Sequence, residues 1–105
     1  MRRIVVLESA AEDIERGREF YDLQEMGVGN YFEDTILSDI ESLSLFHGIH
    51  AIHFGFHRLL SERFPFGIYY REASEATQVF AVLDLRRNPV WINKALAGRN
   101  KRPPC

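Results

Sequence analysis

Four arginines in the second half of the chain could stabilise negative charge on another molecule. Arg58, Arg71, Arg86 and Arg87 lie on or beside three segments with strand-like patterns. If those strands adjoin, the arginines can share a basic face that favours nucleic acid or an acidic protein. Arg86 and Arg87 would point to opposite faces of a continuing strand, so at most one joins a given patch. The alternative is that each guanidinium pairs with a helix carboxylate or a turn carbonyl.

Charge is divided unevenly along the chain. Residues 1–52 carry 4 basic and 11 acidic side chains, whereas residues 53–105 carry 9 basic and 4 acidic ones. This asymmetry predicts a positively charged surface built by the C-terminal half. Part of the acidic excess has a simpler explanation, because solvated helix faces are commonly acidic. Trp91, beside the arginine pair, either caps the core or contacts a partner.

All four histidines lie within eleven residues, and such a cluster could bind a metal ion. They are His47, His50, His53 and His57. On one continuous strand, His53 and His57 would lie about 13 Å apart, too far to chelate one ion directly. We therefore interpret the histidines as solvent-facing or weakly packed, with some gain of positive charge below about pH 6.5. The sequence predicts neither a metal site nor a cofactor.

The single cysteine is Cys105, at the last position. It cannot form an intrachain disulfide, which is typical of proteins in a reducing cytosol. Its place after two prolines also argues against a catalytic thiol. No apolar run approaches the roughly 20 residues that a membrane span requires. We expect a cytoplasmic protein without a membrane segment.

The apolar pattern predicts alternating blocks of strand and helix. Residues 9–26 and 30–45 have helical periodicity, with predicted caps at Ser9 and Asn30 and a predicted inner side that includes Ile14, Tyr21 and Leu23. Asn88-Pro89 predicts the start of a short final helix that ends before Gly98. Strands are predicted at residues 4–7, 54–60, 67–72 and 77–85.

These elements predict an α+β fold of the order β-α-α-β-β-β-α. A helical hairpin would pack on one face of a small, mainly antiparallel four-stranded sheet. The last strand is apolar at every position over residues 79–83, so it should be central with both faces covered. The second face is left to the final helix or to another molecule. We expect one domain over residues 1–98 and a basic, proline-containing tail over residues 99–105.

Three stretches resemble the ParE-like toxins of the RelE/ParE superfamily. Residues 63–71, RFPFGIYYR, resemble their third strand, and residues 79–91, VFAVLDLRRNPVW, resemble their last strand and the corner after it. Residues 11–32, with FY and GVGNYF, resemble their helical hairpin. The resemblance covers about residues 4–97. It implies a plasmid-stabilisation toxin held inactive by an antitoxin, which lays apolar anchors and acidic residues across the toxin surface.

The resemblance implies one of two activities, because RelE-like members cleave messenger RNA on the ribosome and ParE-like members inhibit DNA gyrase. Gly67 occupies the position of the third-strand arginine of the ribonucleases, and no tyrosine follows Tyr70. Only Arg86 or Arg87 matches a catalytic arginine. This favours a ParE-like protein that is not a nuclease, and a non-toxic, antitoxin-binding member is a third hypothesis. A homodimer and a toxin–antitoxin hetero-oligomer both remain open. The residues expected to contact a partner are Arg58, Arg71, Arg86, Arg87 and Trp91.

Overall fold

A computed structural model describes residues 2–100, without the side chain of Asn100. Cys105 and the predicted tail from residue 101 onward lie outside the described residues. No helix in the described part is both long and apolar enough to cross a membrane. The elements, in chain order, are β1 (Arg3–Val6), α1 (Glu8–Gln24), α2 (Val28–Glu41), α3 (Leu43–Phe46), β2 (Ile52–His53), β3 (Phe56–Leu60), β4 (Phe66–Glu72), β5 (Ala76–Asp84) and α4 (Pro89–Asn100).

One five-stranded sheet orders the strands β1-β5-β4-β3-β2. β1 pairs with β5 in parallel, and every other pair is antiparallel. The α+β fold and the central position of β5 are therefore confirmed, while the prediction of four strands missed β2. A bulge in the β4–β5 ladder leaves Phe80 unpaired between the Tyr69–Ala81 and Tyr70–Val79 pairs. An extra residue of this kind bends the strand that carries it, here β5.

The prediction missed β2 because a tight turn divides the segment that was predicted as one strand. His53 pairs with Phe56, so Phe54 and Gly55 form a two-residue hairpin loop with φ of 56° and 87°. Two-residue hairpin turns in which both central residues have positive φ match the right-handed twist of the flanking strands. Asn-Gly is the usual sequence at these two positions, and Phe-Gly is unusual. The prediction that His53 and His57 share one strand is wrong, because this turn separates them.

The helical hairpin packs on the first face of the sheet, as predicted. Phe32, Ile36, Ile40 and Leu43 are all buried against the sheet residues Ile68, Tyr70, Val79 and Val82. Gly17 allows close approach of the helices, since a Cβ there would lie 2.5 Å from the Phe32 ring. Leu23 is 89% exposed, so its predicted inward position is wrong.

The predicted helix caps are also wrong. Ser9 lies inside α1 rather than before it, and its hydroxyl donates to the Phe80 carbonyl on β5. α2 begins at Val28, before Asn30, and its cap comes from another helix: the Asp22 carboxylate accepts the backbone N–H groups of Gly27 and Gly29. A carboxylate at a helix N-terminus satisfies free donors and complements the helix dipole.

The second face of the sheet is covered in part by α4. Ile92 and Leu96 are buried against Phe56, Tyr69, Ala81 and Leu83. α4 begins at Pro89 as predicted, with the Val90 N–H donating to the Asn88 side chain at 2.7 Å. It does not stop at Gly98 but continues to Asn100, so the domain boundary predicted at residue 98 falls inside a helix.

Two helical glycines should respond oppositely to alanine. Gly17→Ala should lower the free energy of unfolding by about 1–3 kcal/mol, because its methyl group would overlap the Phe32 ring. Gly98→Ala should raise it by up to about 1 kcal/mol, because the site is open and alanine favours helix. Urea denaturation of both variants measures the difference, and equal effects would contradict this packing.

The left-handed backbone conformation of Phe54 should lower the stability of the folded protein. Phe54→Asn should raise the free energy of unfolding by about 1 kcal/mol, since asparagine tolerates this conformation and phenylalanine does not. Thermal and urea denaturation provide the measurement. A destabilised variant would show that the half-exposed phenyl ring contributes more packing than the backbone strain costs.

Candidate partner-binding surfaces

Half of β5 lacks a neighbouring strand on one side. β1 ends at Val6, and its last ladder contact is the Leu7 N–H donating to the Val79 carbonyl. Beyond that point side chains take the place of a strand. The Ser9 hydroxyl donates to the Phe80 carbonyl at 2.9 Å, and the Val82 N–H donates to the Asp13 carboxylate at 2.9 Å. α1 therefore completes the sheet edge that β1 leaves open.

Asp13 is a buried carboxylate that joins three elements. Only 5% of the residue is exposed. Besides Val82 it binds Arg99 of α4 through both guanidinium nitrogens, with one contact at 2.9 Å, and Arg16 at 2.6 Å. Arg99 also donates to the Phe80 carbonyl at 3.1 Å. A buried charge requires such partners, and these contacts attach α4 to the edge of β5.

Beside this network lies a cleft between α1, the end of β5 and α4, which we call the corner cleft. Its volume is about 330 Å³. Phe20 and Trp91, exposed by 45% and 39%, contribute apolar surface at its rim. Its lining consists of Asp13, Arg16, Gly17, Phe20, Phe66, Val82, Leu83, Asp84, Arg87, Trp91, Ala95 and Arg99. Three arginines and two aspartates make it weakly cationic.

Arg86 and Arg87 leave the end of β5 toward different neighbours. Arg86 binds Asp84 through Nε at 3.0 Å and Nη2 at 2.8 Å, and this contact holds the pKa of the Asp84 carboxyl below its usual range. Arg87 lies over the indole of Trp91, 3.8 Å from the ring centroid. Such stacking holds a cation in place without neutralising it. β5 ends at Asp84, so the alternation expected for a continuing strand does not apply to these two arginines, and their different partners separate them instead.

The uncovered part of the second face carries the other two predicted arginines, and we call it the open face. Arg58 of β3 and Arg71 of β4 are half-buried there. The Arg71 guanidinium lies 4.1 Å from the centroid of the Phe56 ring, and its Nε donates to the Gly55 carbonyl at 3.0 Å. Arg58 pairs across the ladder with Tyr69. The five predicted residues thus do not share one face: Arg58 and Arg71 lie on the open face, Arg87 and Trp91 line the corner cleft, and Arg86 pairs with Asp84.

Tyr69 and Arg58 form the least satisfied polar contact of the open face. Burial raises the pKa of the Tyr69 phenol, and the neighbouring Arg58 charge opposes that rise. Within residues 2–100, neither the Tyr69 hydroxyl nor Arg58 Nε makes a hydrogen bond of normal geometry. Buried polar groups rarely stay unpaired. Because both atoms are buried, the Arg58–Tyr69 contact belongs to the layer beneath the open face rather than to its surface.

The histidines do not gather around a common centre. Among residues 2–100, no three histidine, cysteine, aspartate or glutamate side chains are arranged to hold a metal ion. The interpretation of all four as solvent-facing or weakly packed is wrong for His50 and His57. Both are half-buried and packed against the Tyr70 ring.

The architecture matches a known structure. No protein-family model matches this sequence, and no curated protein matches it either. A chain from the structure of the chromosomal ParDE TA system from P. aeruginosa superposes with a TM-score of 0.73 and 18% identity. The match covers 81% of this chain and 97% of that chain. The chain has a ParE/RelE-like fold. The fold expected from residues 63–91 and the hairpin is confirmed.

Sequence patterns did not reveal most of the corner cleft. The predicted tail includes Arg99, so the sequence did not place this residue at the cleft. Asp13 carries no signal of its contacts, because nothing in a single sequence shows that a carboxylate faces the bare edge of a strand. A prediction that extended the final helix past Gly98 would have placed Arg99 one turn after Ala95, and so on the cleft side of α4.

Removing the Asp13 carboxylate should be strongly destabilising. Asp13→Ala leaves the Arg99 charge and the Val82 N–H without their buried acceptor, so we expect a loss of about 3–5 kcal/mol in the free energy of unfolding. Arg16→Ala is the matched control, because this side chain is 64% exposed and its ion pair should contribute less than about 1 kcal/mol. Urea denaturation of both variants tests the contrast. A loss below that of Arg16→Ala would refute the assignment.

Proposed function

We propose that this chain is the toxin of a type II toxin–antitoxin pair of the plasmid-stabilisation kind. A cognate antitoxin neutralises it in the cytoplasm, and the free toxin inhibits DNA gyrase without catalysing a reaction. The observation that carries this proposal is the fold shared with a chain of a ParDE TA system. A shared fold does not by itself define a function, so the two surfaces must supply the physical argument.

The corner cleft suits an antitoxin segment with an apolar anchor and nearby carboxylates. Phe20 and Trp91 offer aromatic surface, and aromatic residues are typical of binding hot spots. Arg87 is held over Trp91 rather than extended, so binding would cost little side-chain entropy. An amphipathic helix or extended peptide that lays its apolar side into such a groove is a common mode of recognition.

The open face argues against a ribonuclease. At Gly67 a Cβ would lie 3.1 Å from Leu85 and 3.2 Å from the Arg58 side chain, so those side chains fill the place of a third-strand cation. The tyrosine on this face is Tyr69, and burial raises the pKa of its phenol away from neutrality. General acid–base catalysis needs a group that exchanges a proton near the working pH. Arg58 and Arg71 alone would position phosphate without moving a proton.

Induction of the chain in a bacterial host tests the function. We expect growth arrest with filamentation, and the purified protein should block supercoiling by purified gyrase. We expect an adjoining reading frame that encodes a small, acidic-tailed antitoxin, and co-expression of that protein should restore growth. Discrete cuts in ribosome-bound messenger RNA would instead establish the ribonuclease alternative. Normal growth combined with antitoxin binding would establish a non-toxic, antitoxin-binding member.

The arginine pair after β5 should matter more for toxicity than for folding. The double substitution Arg86→Ala and Arg87→Ala should weaken binding of the protein partner, antitoxin or gyrase, about tenfold or more. The reason is that each hydrogen bond to a charged group contributes about 1.5–3 kcal/mol. The side chain of Arg86 is 56% exposed, so the stability cost should stay near or below about 1 kcal/mol.

Arg63→Ala provides the matched control for that experiment. Arg63 is exposed and donates to the Tyr31 hydroxyl, on the side of the helical hairpin. Its substitution should leave both toxicity and antitoxin affinity unchanged. Full toxicity together with unchanged antitoxin affinity in a folded Arg86/Arg87 double variant would exclude the corner as a binding surface.

A further inference from the structure

One tyrosine hydroxyl contacts the segment between α3 and β3 at two points. Tyr70 is fully buried, and its oxygen accepts the Gly48 N–H at 3.0 Å. The same hydroxyl lies 2.5 Å from Nδ1 of His50. His57 stacks on the Tyr70 ring, with centroids 5.0 Å apart and planes 21° apart. We call Gly48, His50, His57 and Tyr70 the histidine clasp.

The clasp fixes where each proton must lie. The Tyr70 oxygen accepts the Gly48 N–H, and its own hydrogen still needs an acceptor, for which the unprotonated Nδ1 of His50 is the group in reach. Nδ1 of His57 lies 2.6 Å from the His50 carbonyl, and a carbonyl only accepts, so this nitrogen carries a hydrogen. A second hydrogen on His50 would place two donors against one hydroxyl and leave the Tyr70 O–H without an acceptor.

Electrostatics around His50 disfavour its charged form. Burial is the largest effect that lowers the pKa of His50, and the nearby His57 adds to it. Because the folded pKa lies below the ordinary value, the neutral imidazole stabilises the fold above about pH 6.5, and this stability is lost as the pH falls through the folded pKa.

The other charged groups near the clasp form a separate pair. His47, next to the clasp, contacts Glu72 of β4 at 2.8 Å, and Arg2 contacts the same carboxylate at 3.0 Å. The His47–Glu72 pair becomes an ion pair only when His47 is protonated, so acid strengthens it. It therefore opposes the effect of His50, and an experiment must separate the two. His53 of β2 makes no side-chain hydrogen bond or ring contact within residues 2–100, so its substitution serves as a control.

Few other contacts hold this segment down. β2 has two residues and pairs with two residues of β3. Ile49 and Ile52 are 71% and 58% exposed, and Phe54 has the strained left-handed backbone. A short edge strand with exposed side chains belongs to the least stable part of a domain. The Gly55 carbonyl, however, accepts from Arg71, so the segment also helps to position an open-face arginine.

We propose that the histidine clasp makes residues 48–55 a pH-sensitive edge of the sheet. Near neutral pH the clasp holds β2 against β3. Protonation of His50 opens it, which uncovers the outer edge of β3 and loosens one contact that positions Arg71. An uncovered strand edge can pair with an extended chain, so acidification alters what this side of the sheet can bind.

Amide hydrogen exchange by NMR tests the proposal on the full chain. Between about pH 7.5 and 5.5, protection factors of Gly48, His53 and Arg58 should fall several-fold in the wild type. Protection of Ile36 and Ile68 should not change, which distinguishes local opening from global unfolding. Imidazole titration in the same samples should show His50 protonating below the ordinary histidine pKa of about 6.5.

His50→Asn is the decisive variant, because its amide oxygen offers an uncharged acceptor near the position of Nδ1. In this variant the segment should stay protected at both pH values. His53→Asn, a histidine outside the clasp, should keep the wild-type response, and His47→Asn should keep it or enlarge it. Tyr70→Phe, which lacks the hydroxyl, should be poorly protected at both pH values.

Two outcomes would overturn the proposal. One is unchanged protection of residues 48–58 in the wild type over this pH range. The other is a full pH response in His50→Asn, which would assign the effect to another group. If His50→Asn does not fold, Tyr70→Phe decides alone, since a response equal to that of the wild type would exclude the clasp.

Discussion

The contact on which this fold most depends is the hydrogen bond from the Val82 N–H of β5 to the carboxylate of Asp13. A central strand needs partners on both edges, yet β1 ends at Val6 and leaves the second half of β5 bare. Asp13 and Ser9 satisfy that edge from inside α1, and Arg99 adds a contact from α4. The buried carboxylate thus joins both layers to the sheet, and Arg99 and Arg16 compensate its charge.

Hydrophobic periodicity correctly predicted the elements whose burial follows a regular pattern. It failed where a side chain, rather than a neighbouring strand, makes hydrogen bonds to the backbone of a strand. The apolar stripe of α2 and the all-apolar β5 correctly placed the hairpin and the central strand. Ser9 has the sequence pattern of a helix cap, but a bare strand edge competes for its hydroxyl. The β2–β3 turn was missed because Phe54 adopts a backbone that its residue type disfavours, so no turn signal exists in the sequence.

The site was predicted in its residue types but not in its grouping. Arg58 and Arg71 lie on the same face because they occupy outward positions of adjacent strands, which alternation allows one to predict. Arg87 and Trp91 meet instead across the start of α4, and their companions Phe20 and Arg99 come from opposite ends of the chain. Contacts between residues so far apart in sequence depend on tertiary packing, which no local pattern encodes.

Both edges of the sheet are protected by polar side chains rather than by long strands. At β5 the protection is the buried ion pair of Asp13 and Arg99. At β3 it is a tyrosine hydroxyl shared with His50, an imidazole that gains charge on acidification. Of these two protecting contacts, that at β3 is the one that involves a histidine, so the proposed pH response acts on the side of the sheet away from the corner cleft.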